Sequence, residues 1–195
     1  MRQIGKVIQT LKNGGVIVFP TDTVYALGCD AGNSKAVQRI CQLKGIPIEK
    51  SKFSFICYDL SNISEYAKHI NTPTFKLMRK YLPGPYTFIL NASSGVPDRF
   101  FGGKKKKTIG IRIPDNEITR IIIKELQGPL MATSVHDDDE IIDYITDPEL
   151  IYEKYGKTVD MVIDGGTGGN EPSTILDCTN DEIQLIRQGK GEIDL

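Results

Sequence analysis

Short apolar, β-branched runs recur along this chain, and several follow one another without room for a crossover helix. Val16-Ile17-Val18-Phe19, between Gly14-Gly15 and Pro20, has the continuous character of a strand buried on both faces. Phe53 to Cys57, Tyr86 to Leu90, Thr108 to Ile113, Leu130 to Val135, Met161 to Ile163 and Thr174 to Asp177 read as further strands, and Ile183 to Arg187 follows them. Parallel neighbours need a crossover of about a dozen residues or more, so some of these must pair antiparallel. Helical spacing marks residues 3–13, with Ile4, Val7, Ile8 and Leu11 on one face and a stop at Asn13-Gly14-Gly15. It also marks 34–44, opened by Asn33 or Ser34, then 61–69, 73–82 behind Thr72-Pro73, and 116–126. About seven strands and five or six helices, irregularly interleaved, specify one α/β (α+β) layered domain over 1–195. Its sheet is expected to be twisted and mixed parallel/antiparallel, with flanking helices.

Composition narrows the class. At 195 residues the chain can bury a core without staples. Its 24 Lys plus Arg against 25 Asp plus Glu leave a formal charge of −1, which marks no general polyanion binder, although a local basic patch remains open. No apolar run approaches a membrane span, and the first residues lack the features of a signal peptide, so a cytoplasmic location without membrane contact is expected. The 4 cysteines form no CxxC pair and read as buried reduced thiols; with only 2 histidines, no metal site is expected.

The generic catalytic motifs are absent: no GxGxxG after a strand, no GxxxxGK[ST], no HExxH, no GxSxG. Other segments carry chemistry. Pro20 to Gly28 leaves a buried strand and packs two hydroxyls, a carboxylate and a phenol into five residues; it reads equally as a ligand loop or as a self-bonded turn. Lys44-Gly45-Ile46-Pro47, with Lys50 and Lys52, offers ammonium groups to a phosphate, or only a helix-end charge to the dipole. Lys104-Lys105-Lys106-Lys107 is a solvated loop unless a polyanion faces it. Arg112 interrupts an apolar strand and must find an anion or several acceptors. Thr133-Ser134-Val135-His136 ends another strand ahead of four acidic residues, which suggest metal only loosely. The Gly-rich Asp164 to Gly169 reads as a turn.

In order, these segments resemble the YrdC-like domain of threonylcarbamoyl-AMP synthases. The resemblance rests on Pro20 to Gly28, Lys44 to Pro47, Leu82-Pro83-Gly84-Pro85-Tyr86-Thr87, Ile109 to Pro114, Thr133-Ser134, Pro172 to Ile175 and Ile186 to Gly189. It implies a YrdC-like fold around a concave, positively charged cavity. It also implies an enzyme that joins L-threonine, bicarbonate and ATP (with Mg2+) into threonylcarbamoyl-AMP and pyrophosphate for tRNA modification at adenosine 37.

By the same resemblance, Lys44 and Arg112 face the triphosphate as catalytic cations. Lys50, Ser134, His136 and Arg187 join them on the nucleotide, while Thr21, Thr23 and Ser173 form the threonine pocket. Mg2+ arrives with ATP, and no dedicated metal ligands are expected. The chain departs from the family pattern at Ile46, where an Arg is usual, at Val135-His136, and at Ala26. It looks like the YciO branch. That leaves a second reading, a paralogue that binds nucleotide, tRNA or double-stranded RNA with little turnover, using Lys104, Lys105, Lys106 and Lys107.

Overall fold

The structure, a computed structural model, describes residues 2–61, 63–101, 103, 105–135 and 145–194. Helix α1 (Arg2–Lys12) ends where Gly14 turns left-handed at φ 82 and Gly15 N–H reaches the Thr10 carbonyl at 2.8 Å. Strand β1 (Ile17–Phe19) follows, then β2 (Ala26–Asp30) and α2 (Ser34–Lys44). Asn33 caps α2 by accepting from Ala36 N–H, and Gly45 closes it at φ 65. Next come β3 (Ser54–Ile56), the short α3 (Ile63–Tyr66), and α4 (Thr72–Tyr81), capped by Asn71 with a proline in its first turn. Strands β4 (Tyr86–Asn91) and β5 (Thr108–Arg112) lead to α5 (Glu117–Leu126), capped by Asn116. Then follow β6 (Leu130–Ser134), α6 (Pro148–Tyr155), β7 (Met161–Val162), β8 (Thr174–Asp177) and β9 (Gln184–Arg187).

Three features differ from the expected pattern. Strand β2 occupies the second half of the segment read as a ligand loop, because Ala26 to Asp30 pairs on both edges. Helix α6 was not expected, although Asp147-Pro148 is a cap followed by a first-turn proline. The helix expected over 61–69 shrinks to four residues, Ile63–Tyr66.

Among the described residues, nine strands form one sheet in the order β7-β1-β2-β6-β3-β5-β4-β8-β9. Neighbours pair antiparallel except β1 with β7, β3 with β5, and β4 with β8. The mixed sheet expected from strand spacing is therefore present. One face carries Val18, Leu27, Met131, Phe55, Ile111, Phe88 and Leu176 under the buried sides of α2, α4 and α6. The opposite face carries Ile17, Phe19, Ala26, Leu130 and Ile56, covered by Val7 and Leu11 of α1 and Ile122, Ile123 and Leu126 of α5. That helix pair covers only the first half of the sheet. Beyond it, the same face continues through Ser54, Gly110 and Ile89, which register places in one row with Ala132. Small side chains on an uncovered, twisted face leave a hollow. Among the described residues, no helix is long and apolar enough to cross a membrane.

Candidate active site

That hollow is a cavity of about 240 Å3. Its floor is kept low by Gly110, where a Cβ would come within 2.8 Å of Ser54 Oγ and 3.2 Å of Thr87 Cγ2. Cations from four segments line it: Arg112, Arg187, Lys52 and Lys106, with no carboxylate among the described lining residues. Pairing explains how two arginines from distant parts of the chain share one site. Thr87 pairs with Ile175 and Ile175 with Arg187, while the β4–β5 register continues one step to set Thr87 beside Arg112. The two arginines thus stand in one cross-strand row, three interstrand steps or about 14 Å apart at Cα, both on the cavity face.

Arg112 is 9% exposed. Its Nη2 donates to Asp22 Oδ1 at 2.9 Å and to Thr23 Oγ1 at 3.0 Å. Burial pushes the guanidinium below its ordinary value; Asp22 opposes that, and Arg187 adds to it. A buried cation held by one carboxylate, with a second cation in range, favours an anion in the cavity.

The threonines are ordered by a directional chain. Thr21 Oγ1 donates its one hydrogen to the Val24 carbonyl at 2.7 Å, so the 3.0 Å contact with Thr23 must be donated by Thr23. Thr23 Oγ1 in turn accepts from Arg112. Thr21 and Thr23 therefore stand behind Arg112 and brace it, and neither lines the cavity. Asp22 connects the same corner to two other segments. Its Oδ2 accepts from Asp115 N–H at 3.1 Å, and its carbonyl accepts from Lys190 Nζ at 2.6 Å.

Ser173 and Ser134 do line the cavity. Ser173 Oγ shares a 2.8 Å hydrogen bond with Thr87 Oγ1, and its carbonyl accepts from Arg187 Nη2 at 2.9 Å and Nε at 3.2 Å. The return of the chain after β9 fixes this edge. Gly189 N–H donates to Thr174 Oγ1 at 3.0 Å, and a Cβ on Gly189 would lie 2.2 Å from the Pro172 carbonyl oxygen.

Several expected residues sit elsewhere. Lys44, Lys50 and Ile46 are not among the lining residues. Lys44 Nζ donates to the Ser134 carbonyl at 3.0 Å and Thr133 Oγ1 at 3.3 Å, so it supports the strand end that carries Ser134. Lys50 is exposed on the turn after α2, whereas Lys52, on the entry into β3, lines the cavity. The described lysines of the 104–107 run are placed differently from one another. Lys106 lines the cavity and donates to Thr179 Oγ1 at 2.8 Å, Lys107 pairs with Asp98 at 2.6 Å, and Lys105 is exposed outside the lining. Lys104 and His136 lie outside the described residues.

The carboxylate in the Pro20 to Gly28 segment, read equally as part of a ligand loop or of a self-bonded turn, is Asp22; its bond to Arg112 had no signal beyond a carboxylate between two threonines at a strand end. The Gly-rich segment is a turn with a purpose. Tyr25 Oη donates to the Gly166 carbonyl at 2.7 Å and accepts from Gly165 N–H at 3.0 Å, and a Cβ on Gly169 would lie 2.1 Å from the Thr23 carbonyl oxygen. The segment therefore presses directly on the corner that holds Arg112. Among the described residues, no group of three or more His, Cys, Asp or Glu is placed to hold a metal.

A profile of the Sua5, YciO and YrdC proteins, described as "Telomere recombination", matches residues 9–189. The chain belongs to the Sua5/YciO/YrdC family. It superposes on the crystal structure of E. coli YciO with a TM-score of 0.89 and 38% identity, covering 98% of this chain and 91% of that one. It is 37% identical over 194 residues to a putative threonylcarbamoyl-AMP synthase of Methanocaldococcus jannaschii, covering 94% of this chain and 86% of that protein. P. abyssi Sua5 complexed with L-threonine matches with a TM-score of 0.86 and 29% identity, over 96% of this chain and 54% of that chain. The YrdC-like fold expected from the sequence is thus the fold of this chain. The family includes proteins named as threonylcarbamoyl-AMP synthases, an enzymatic activity.

Proposed function

We propose that this chain is a threonylcarbamoyl-AMP synthase, serving N6-threonylcarbamoyl modification of tRNA. The observation that carries the reading is the cavity itself: two arginines in one row, two lysines at the rim, hydroxyls between them and no described carboxylate in the wall. Its relatives include a Sua5 protein crystallised with L-threonine.

The chemistry suits such a wall. The threonine amine, once deprotonated, condenses with bicarbonate to give a carbamate and water. A carbamate oxygen then attacks the α-phosphorus of ATP, the bond to the β-phosphate breaks, and pyrophosphate leaves. Both steps concentrate negative charge on oxygen, which fixed cations and hydroxyl donors stabilise without reorganising. No covalent nucleophile is required, and positioning supplies much of the rate. In this reading Arg112 and Arg187 hold anionic groups of the substrates. Ser173 and Thr87 offer hydroxyls, Ser134 meets the nucleotide, and Lys44 acts by holding the Ser134 strand end. Mg2+ enters as part of the ATP complex.

The test is incubation of the purified chain with ATP, Mg2+, bicarbonate and L-threonine, followed by mass spectrometry. Threonylcarbamoyl-AMP that disappears when threonine or bicarbonate is omitted is the expected result. Absence of product from protein that binds double-stranded RNA in a salt-dependent manner, weakened by neutralising Lys105 and Lys106, would replace the synthase reading with an RNA-binding one.

A further inference from the structure

The guanidinium of Arg112 has five N–H donors, and their allocation is uneven. Nη2 uses both of its hydrogens inside the protein, one on Asp22 and one on Thr23. Nε is buried and makes no hydrogen bond, and among the described residues Nη1 makes none either. A side chain nine-tenths buried does not leave its donors idle without cost, and this one lines the cavity. Nε is sealed from the cavity, so the open Nη1 edge marks where a ligand anion belongs.

Something must keep the guanidinium turned that way. A free arginine side chain would rotate to satisfy its own donors. The acceptor that prevents this is Asp22, whose carboxylate is 8% exposed. Oδ2 is fixed by Asp115 N–H and the main chain of Asp22 by Lys190, so Oδ1 has little freedom to follow Arg112. The contacts on Asp22, in the turn after β1, come from β5, the loop after β5 and the segment after β9. Two meet on its carboxylate and one on its carbonyl, and no element on its own could hold Asp22 there.

We infer that Asp22 is a positioning residue. It grips Arg112 by Nη2 alone, so that Nη1 stays available to an oxyanion of the substrate, carboxylate or phosphate, that Asp22 itself never touches. Two consequences follow from the charges. Asp22 makes it possible to bury Arg112, and its opposing charge weakens the pull of the cavity on an anionic product. The inference rests on the synthase reading for the identity of the oxyanion, and on geometry alone for the role of Asp22.

The experiment measures binding of ATP and of L-threonine to the full chain by calorimetry, for wild type, Asp22→Asn, Asp22→Ala, Arg112→Ala and the Asp22→Ala/Arg112→Ala double variant. Asp22→Asn retains an acceptor for Nη2 and guards against simple misfolding, which circular dichroism checks. Asp22→Ala is expected to weaken at least one ligand by about tenfold, and Asp22→Asn by less, as fits loss of a charge-assisted hydrogen bond. Once Arg112 is gone, removing Asp22 should cost nothing more, because its effect passes through that side chain. Millimolar guanidinium should restore binding to Arg112→Ala but not to the double variant, since Asp22 supplies the carboxylate that docks the free cation. Effects of the two substitutions that simply add, or rescue that is indifferent to Asp22, would reduce Asp22 to a structural ion pair. Wild-type protein that binds neither ligand would overturn both the synthase reading and this one. Binding that Asp22→Ala leaves unchanged overturns this one alone.

Discussion

At the scale of single residues, the site depends on atoms that approach closely where sequence shows only a small side chain. Gly169 is the clearest case. Its missing Cβ is what allows the Gly-rich segment to lie against the Thr23 carbonyl, 2.1 Å from where that carbon would be. The neighbour is main chain and cannot rotate away. Gly169→Ala should therefore destabilise the fold by about 1–3 kcal/mol, the range for overpacking. For a chain of this size that lowers Tm by roughly 2–12 °C, measurable by calorimetry. A wild-type Tm would mean that the turn after β1 is softer than its hydrogen bonds imply. Arg112 was legible beforehand, since an arginine inside an apolar strand demands an explanation. What occupies its donors was not, because Asp22 and Thr23 lie about 90 residues away in sequence and the pairing exists only after β5 crosses the sheet.

At the scale of elements, helix α5 does more than cover one half of the sheet. Thr119, wholly buried, donates its hydroxyl to the Pro20 carbonyl at 2.5 Å, so the helix also holds the turn that begins the Thr21-Asp22-Thr23 corner. Thr119→Val keeps the shape and removes the donor. It is expected to cost about 1–2 kcal/mol by leaving that carbonyl unpaired, and to weaken ligand binding more than Thr119→Ser, which retains the hydroxyl. Equal affinities for the two variants would show that α5 acts only as a cover. Caps explain why most helices could be read in advance. Asn33, Asn71 and Asn116 each accept from the backbone of their helix's first turn, and Gly14 and Gly45 end two helices with positive φ. Strand β2 escaped notice because its residues, Ala26-Leu27-Gly28-Cys29-Asp30, have little β-propensity of their own. It is a strand because β1 and β6 pair with it on either side.

At the scale of the whole molecule, the core holds all four thiols reduced and buried. Burial pushes Cys57 up to about 12 and Cys178 up to about 11, and moves Cys29 upward as well. For a thiol whose native value lies above its unfolded value, the native state keeps a proton that the unfolded chain has lost. Stability from these groups is therefore complete below about pH 8.5 and falls as pH climbs through 9 towards 12. Thermal unfolding followed between pH 7 and pH 10.5 should show Tm dropping steadily above pH 9. At pH 8 a thiol reagent should label the native protein slowly and reach four thiols per chain only on denaturation. Rapid labelling of the native state would contradict the burial of these thiols.

Sequence alone determined the class of this molecule and much of its chemistry. Periodicity and caps specify the helices, spacing between apolar runs requires a mixed sheet, and the ordered short motifs point to the family. These are local properties, encoded within a few residues of one another. Tertiary structure decided which motif residues meet the cavity. It set Thr21 and Thr23 behind Arg112, turned Lys44 onto a strand end, carried Lys52 and Lys106 to the rim, and left Lys50 outside. It also made Asp22 the junction of three segments. The physical reason is that side-chain direction at a site follows from strand register and the half-covered face of the sheet. Both are fixed only when strands far apart in the chain come together.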